Sequence, residues 1–435
     1  MWHETLNTRA LALVTSLLFV SSVTTASPTN LNKDELVSLL NPRAGEKWVA
    51  TWTSMPQLVE SSNMPPSPFS SGGVFKDATL RQTLHMSIGA DRIRIQISNT
   101  FGGSDLPITS ATIALPQSGK PGSASIDTAT LKSLTFNNGQ DGIKIPRGQT
   151  AYSDPIDFKI LPQSMLTLSL YFQSGQSGSS ITGHPGSRTT SWMSTGDHVK
   201  DASLSGSSTK HWYFVSAVEA WSPTNTSALI ILGDSITDGR GSTDDANNRW
   251  PDLLLARMQK AGITNVGVAN QAAGGNTVLT GGLGPPLMQR YKRDALDQQG
   301  VKYVMIFEGV NDIGNGGTNS GAQSSLVSQL QNAFKTIAAD CKKAGYKTIG
   351  ATVTAFGGSG QSYSNAARDA GRQSLNNWIL TSGTFDYMVD FAKIVGDPSQ
   401  KSQLAKQYDG GDHLHPNVAG YQAMADGFPL EIFKD

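Results

Sequence analysis

Ser235, Asp412 and His415 have the residue types and chain context for nucleophilic catalysis: a hydroxyl to attack, an imidazole to take its proton, and a carboxylate to orient the imidazole. Ser235 follows the apolar run Ala228-Leu-Ile-Ile-Leu232 within a Gly233-Asp-Ser-Ile-Thr237 turn. Such a run has the length and β-branched content of a buried parallel strand, and the Gly, Asp and Ser after it are turn formers. Ligands of open α/β sheets bind at the carboxyl ends of the strands, so a serine in that turn is placed to be presented. In Asp412-His-Leu-His415-Pro416 a carboxylate stands three residues before a histidine, just ahead of a helix predicted to start at Pro416 and run through Tyr421 toward Phe428. That offset lets Asp412 reach the His415 ring and fix its tautomer while the other ring nitrogen faces Ser235.

With two further segments, these motifs form an ordered series. Gly233-Asp-Ser-Ile236, Asn270-Gln-Ala-Ala-Gly-Gly-Asn276, Gly309-Val-Asn-Asp312 and Asp412-His-Leu-His415 resemble the four blocks of the SGNH (GDSL-type) hydrolases. The matching positions run from about residue 228 to 428, and a more distant likeness to secreted esterases with a β-rich domain ahead of the catalytic one extends over 46–222. The resemblance implies that Ser235 is the nucleophile, His415 the general base and then general acid, and Asp412 its orienter. It also implies an oxyanion hole made of the Ser235 N–H, the Gly275 N–H and the Asn311 side-chain amide. Alignment of Asn270 and Asn276 with the family pattern favours Gly275 over Gly274. A residue without Cβ suits the role because its N–H can approach a substrate closely. Asp234 reads as a cap on the following turn, His413 as a surface neighbour, and Asp409 as a residue shaping a Gly-rich loop. His184, in Gly183-His-Pro-Gly186, reads as an exposed loop histidine, the alternative being a β domain that buttresses the catalytic one and contributes His184 to the rim of the site. No Gly-x-Ser-x-Gly elbow occurs, which argues against the α/β-hydrolase fold.

To bring these blocks together, the chain after Asn225 alternates strands and helices. Strands are predicted at 228–232, 265–269, 302–307, 347–353 and 386–391, and helices near 250–260, 286–298, 321–344, 363–381 and 416–427. Alternation of this kind implies right-handed crossovers and a parallel sheet. The expected fold is α/β, a flavodoxin-like three-layer α/β/α SGNH hydrolase domain over 226–435, with the first strand central. Before it, Leu84–Ile88, Arg92–Ser98, Ala111–Leu115 and Met165–Phe172 alternate apolar and polar residues between Gly, Pro and Asn, which predicts a β-sandwich-like domain over 46–222. Trp221-Ser-Pro-Thr-Asn225 marks the seam. Gly281–Gly284, Pro285 and Pro286 lie on the edge that carries the motifs and read as a turn, the alternative being a substrate-lining loop.

Composition bounds the setting. Met1–Ala26, with Arg9, an apolar stretch from Ala10 to Val23 and a small-residue exit at Thr24-Thr-Ala26, reads as a secretory signal peptide followed by a leader over 27–45. The protein is therefore expected to be secreted and extracellular, with a sequon at Asn225 and no membrane span. The 34 Lys and Arg balance the 34 Asp and Glu without a basic block, which disfavours nucleic acid as a partner. The single cysteine, Cys341, excludes thiolate zinc sites and reads as a buried apolar residue. Neither a cofactor nor a metal is expected.

Taken with the resemblance, the expected reaction is two-step acyl transfer to water, on a small-molecule or polysaccharide acyl ester. Because His415 must be neutral to accept the proton, activity is expected to fall on acidification. Trp48, Trp52, Trp192, Trp212 and Trp250 could stack on sugars, so the favoured substrate is an acetylated carbohydrate. The alternatives are a lipase acting on longer acyl chains and a glycan-binding protein with a vestigial hydrolase domain.

Overall fold

The computed structural model describes residues 45–434. The signal peptide (1–26) and the leader (27–45, apart from Gly45) lie outside the described residues.

The C-terminal half is organised by one parallel sheet whose strands run, edge to edge, Val266–Ala272, Ser227–Gly233, Val301–Phe307, Lys347–Ala351, Tyr387–Val389. Ser227–Gly233 is buried along its whole length, as a strand covered on both faces must be, which is why it reads as an unbroken apolar run. It lies inside the sheet but one place from the edge, not at the centre. Helices Ser320–Lys343 and Ala366–Thr381 pack together, as do Trp250–Lys260 and Val418–Gly427. Ser320–Lys343 buries Val327, Leu330, Phe334, Ile337 and Cys341, one stripe at helical spacing, and its N-terminus is capped by the Asn319 side chain. Burial pushes the Cys341 thiol up to about 12, so it packs as a small hydrophobe.

The element ends differ from expectation in instructive ways. The last helix begins at Val418, capped by the Asn417 side chain, and Pro416 instead bridges to Asp409 outside it. The 286–298 segment is α-helical over Leu287–Tyr291 and continues as a π-helix over Lys292–Leu296. Tyr387–Val389 is shorter than its predicted strand because Asp390 caps a short helix, Phe391–Val395.

The N-terminal half is antiparallel. One sheet holds Glu46–Thr53, Val215–Pro223, Ala90–Ser98 and Ile156–Ile160; the other includes Ala78–His85, Met165–Phe172 and Ser110–Ala114. Ile93, Ile95 and Ile97 from the first meet Leu80, Leu166, Leu168 and Leu170 from the second in one core. The two faces of Ala90–Ser98 differ as period-two patterning requires, with Arg92, Arg94 and Gln96 outside that core.

Both halves lie within one compact unit, Glu46–Asp435. The first strand of the N-terminal half joins them: Val49 and Ala50, with Ala220, belong to the core of the C-terminal half. Ala50 N–H donates to Gln299 O at 3.0 Å, and Thr53 Oγ1–H to Asn270 O at 3.0 Å. Gly267 permits this approach, since a Cβ there would sit 2.7 Å from Ala50 O.

Candidate active site

Ser235 begins a single helical turn, Ser235–Asp238, at the carboxyl end of its strand. As expected, Asp234 caps this turn by accepting from Ile236 N–H at 3.0 Å, and Gly239, at φ 99°, ends it. Burial pushes the Asp234 carboxyl up to about 7, so the cap holds its charge only weakly near neutrality.

Ser235 Oγ lies 2.7 Å from His415 Nε2, and His415 Nδ1 lies 2.6 Å from Asp412 Oδ2. The other carboxylate oxygen of Asp412 accepts from the backbone N–H of Leu414 (3.0 Å) and His415 (2.8 Å). Partial burial opposes ionisation of Asp412, but these bonds and the facing imidazole outweigh it and hold the carboxyl well below the usual carboxylate range. A charged Asp412 accepts only, so His415 carries its hydrogen on Nδ1 and offers the Nε2 lone pair to the serine hydroxyl. The sequence-predicted trio is thus assembled across 180 residues.

The glycine pair resolves by its bonding. Gly274 N–H donates to Asp238 Oδ2 at 3.0 Å, whereas the N–H groups of Gly275 and Ser235 have no partner among the described residues. Gly275 sits at φ 70° with Leu283 against the position a Cβ would take. Asn311 Nδ2 donates one hydrogen to Asn276 O (2.7 Å) while its Oδ1 accepts from Tyr363 O–H (3.0 Å). That pair of bonds fixes which way the amide faces and leaves its second hydrogen available. The Asn276 loop is held in turn: Arg290 Nε–H donates to Asn276 Oδ1, and the Asp312 carboxylate accepts from Val278 and Leu279 N–H.

A cavity of about 550 Å³ opens over these groups. Its walls include Ser235, Gly275, Asn311, Asp412 and His415 from the C-terminal half, and Gln57, Glu60, Asn63, Arg188 and His211 from the N-terminal half. Leu283 also lines it, so the Gly281–Gly284 segment forms part of the wall as well as turning the chain. None of Trp48, Trp52, Trp192, Trp212 and Trp250 does: Trp250, Trp52 and Trp212 are buried, and Trp48 packs edge-on against Trp221.

His184 is not exposed. It is buried in strand Thr182–His184, with Nδ1 3.0 Å from Met55 O and Nε2 2.9 Å from Asp238 Oδ1. Both neighbours are acceptors, so the two bonds form together when both ring nitrogens carry hydrogen. Asp238 therefore connects a histidine of the N-terminal half to the Gly274 N–H, and thereby positions the loop that carries Gly275. Replacing His184 with alanine is expected to lower kcat roughly tenfold by loosening that loop, about the effect of ~1.4 kcal/mol on the barrier. Steady-state kinetics with an unchanged kcat would remove this positioning role. Asp238, Tyr363 and Arg290 carried no motif of their own in the sequence. His413 is a partly buried neighbour whose Nδ1 meets Asp409 Oδ2 at 2.5 Å, and Asp409 also accepts from Gly411 and His413 N–H, the loop-shaping role expected of it.

No group of three or more His, Cys, Asp and Glu side chains suited to a metal occurs among the described residues. The buried carboxylates of Asp294 and Glu308 face Arg290 instead, at 3.2 and 3.3 Å. No helix among the described residues is long and apolar enough to cross a membrane.

The sequence model of the GDSL-like Lipase/Acylhydrolase family matches residues 229–428. Similar solved structures include a GDSL-like lipase from Bacteroides thetaiotaomicron, with 19% identity, 48% of this chain and 87% of that one covered, and a TM-score of 0.35. A lipase/acylhydrolase from Enterococcus faecalis gives 19% identity, 48% and 96% coverage, and a TM-score of 0.37. An acetyl xylan esterase from Geobacillus stearothermophilus gives 19% identity, 47% and 94% coverage, and a TM-score of 0.35. No curated protein matches the chain.

Proposed function

Because the chain belongs, through residues 229–428, to the GDSL-like lipase/acylhydrolase family and is a carboxylic ester hydrolase, we propose that it is a secreted serine esterase removing short acyl groups, chiefly acetyl, from carbohydrate. Ser235 Oγ attacks the ester carbonyl as His415 Nε2 takes its proton. The N–H groups of Ser235 and Gly275 and the free amide hydrogen of Asn311 meet the charge that develops on the carbonyl oxygen. His415 then returns the proton to the leaving alcohol, and a water molecule, activated by the same ring, hydrolyses the acyl-enzyme and restores Ser235.

The observation that carries the substrate reading is the character of the cavity wall. Gln57, Glu60, Asn63, Arg188, His211 and Arg240 present amides and charges, the partners of a hydroxyl-rich alcohol, while Leu283 and Leu414 are its only aliphatic side chains apart from Pro185. A long acyl chain needs far more apolar contact, at ~0.8 kcal/mol for each buried methylene. Secretion rests on the reading of Met1–Ala26.

The expected result with p-nitrophenyl acetate, butyrate, octanoate and palmitate is a kcat/KM that falls beyond the short chains, together with acetate release from acetylated xylan. An optimum at octanoate or palmitate would make the enzyme a lipase instead.

A further inference from the structure

The charges around the nucleophile do not balance in the way their number suggests. Every acidic group on the cavity wall is already engaged. Glu60 accepts from Gln57 Nε2 through one oxygen and from Asn63 Nδ2 through the other. Asp238 holds His184 and the Gly274 N–H, and Asp412 holds His415 and two backbone N–H groups. The cationic groups are not engaged. Neither the Arg188 nor the Arg240 guanidinium makes an ion pair or a hydrogen bond among the described residues, and Arg188 Nε is shielded from solvent with no acceptor. His211 Nδ1 lies 2.6 Å from Pro185 O, so that atom serves the loop.

The backbone shows that Arg188 is held in place. It has φ 50°, a left-handed conformation that costs a side-chain-bearing residue free energy and persists only where its surroundings enforce it. Those surroundings come from the other half of the chain. Asp245 N–H donates to Arg188 O, the Asp245 carboxylate accepts from the N–H and hydroxyl of Thr190, and the Arg249 guanidinium donates to Ser187 O. Arg240 is tied directly to the nucleophile's turn, its N–H donating to Ser235 O at 2.9 Å and its carbonyl accepting from Tyr421 O–H. A buried donor left without an acceptor is unfavourable, and a guanidinium presents parallel N–H groups that match the two oxygens of a carboxylate.

The geometry points to an anion subsite: Arg188, with Arg240, binds a carboxylate on the substrate, so that the preferred ester is an acylated acidic saccharide, one carrying uronate groups beside the ester. This rests on the esterase reading above and narrows its substrate. The chemistry of the acyl transfer is unchanged; the carboxylate stays intact and serves only to seat the ester over Ser235.

The test compares acetate release from O-acetylated polygalacturonate with release from the same polymer after methyl esterification of its carboxylates, with p-nitrophenyl acetate as a control. The wild-type protein is expected to favour the free carboxylate by about tenfold or more in kcat/KM, the discrimination expected of a charge-assisted bidentate contact. Arg188→Gln and Arg240→Gln are each expected to reduce that ratio severalfold, and Arg188→Lys to restore part of it. Because the ratio is taken within each variant, a general loss of activity does not obscure it, and should Arg188→Gln fail to fold, the exposed Arg240 carries the test. Equal rates on the two polymers in the wild type, or a ratio unmoved in both glutamine variants, would overturn the subsite. Failure to cleave any of the three substrates would instead overturn the esterase reading.

Discussion

Ser235→Ala is expected to lower kcat on p-nitrophenyl acetate by ~10⁴-fold or more, the scale seen when a triad nucleophile is removed and only binding and oxyanion stabilisation remain. Its stability should scarcely change. Ser235 Oγ bonds only to His415 Nε2, and both residues line the cavity, where water takes the place of the deleted hydroxyl. The turn itself depends on Asp234 and Gly239, which remain. Measured together, thermal unfolding within a few degrees of wild type and loss of labelling by a fluorophosphonate would tie the lost turnover to the nucleophile. Retention of more than about one hundredth of wild-type kcat would reject Ser235, since no other triad-type serine could account for a two-step reaction at this site.

What could be read from the chain without a structure follows the range of the interactions involved. The Asp412 to His415 contact is local: the backbone N–H groups of Leu414 and His415 fold the segment around one carboxylate oxygen, so the spacing alone carried the geometry. The Ser227–Gly233 strand was legible because burial on both faces leaves a continuous apolar record. The start of the final helix was misplaced because Asn417 and Pro416 both favour helix N-termini, and the bridge from Pro416 to Asp409, which decides between them, is a tertiary contact. His184 was misread for the same reason. Gly and Pro on either side of it give the signature of an exposed loop, yet its partners are Met55 in the N-terminal half and Asp238 beside the nucleophile. Arg188 gives no local signal at all, since its held conformation depends on Asp245 and Arg249.

His184 and Arg188 share a cause that bears on how the enzyme is built. A sequence divided at Trp221–Asn225 assigns chemistry to one half and leaves the other as an accessory. In the folded chain Gln57, Glu60, Asn63, Arg188 and His211 complete the cavity wall, and His184 bonds Asp238, which accepts from the Gly274 N–H. Motifs record the groups that act on the scissile bond, which every family member needs. The cavity wall beyond those groups draws on both halves, and the halves are tied by long-range contacts such as that between Thr53 and Asn270.

Asp412→Asn is expected to cost about 10³- to 10⁴-fold in kcat, through the tautomer of His415 and not through loss of shape. The side chains are isosteric, and one oxygen position already accepts two backbone N–H groups, from Leu414 and His415. In the asparagine variant only the amide oxygen can occupy that position. Its NH₂ group must then take the place of Oδ2, 2.6 Å from His415 Nδ1, where it is a donor. His415 is forced to present a lone pair at Nδ1 and its hydrogen at Nε2, so the ring donates toward Ser235 Oγ and cannot take the serine proton. Asparagine is therefore expected to be at least as damaging as alanine, which leaves either tautomer open. The wild-type carboxyl is held well below its ordinary range, so the stabilisation it draws from its partners is complete above about pH 4 and is lost as the pH falls through that depressed value. Acid loss of activity between neutrality and pH 5 consequently does not report protonation of Asp412. Kinetics of both variants at neutral pH, with ¹⁵N chemical shifts of the His415 ring, decide the matter: an asparagine enzyme within tenfold of wild type, or one still protonated at Nδ1, would remove the tautomer argument.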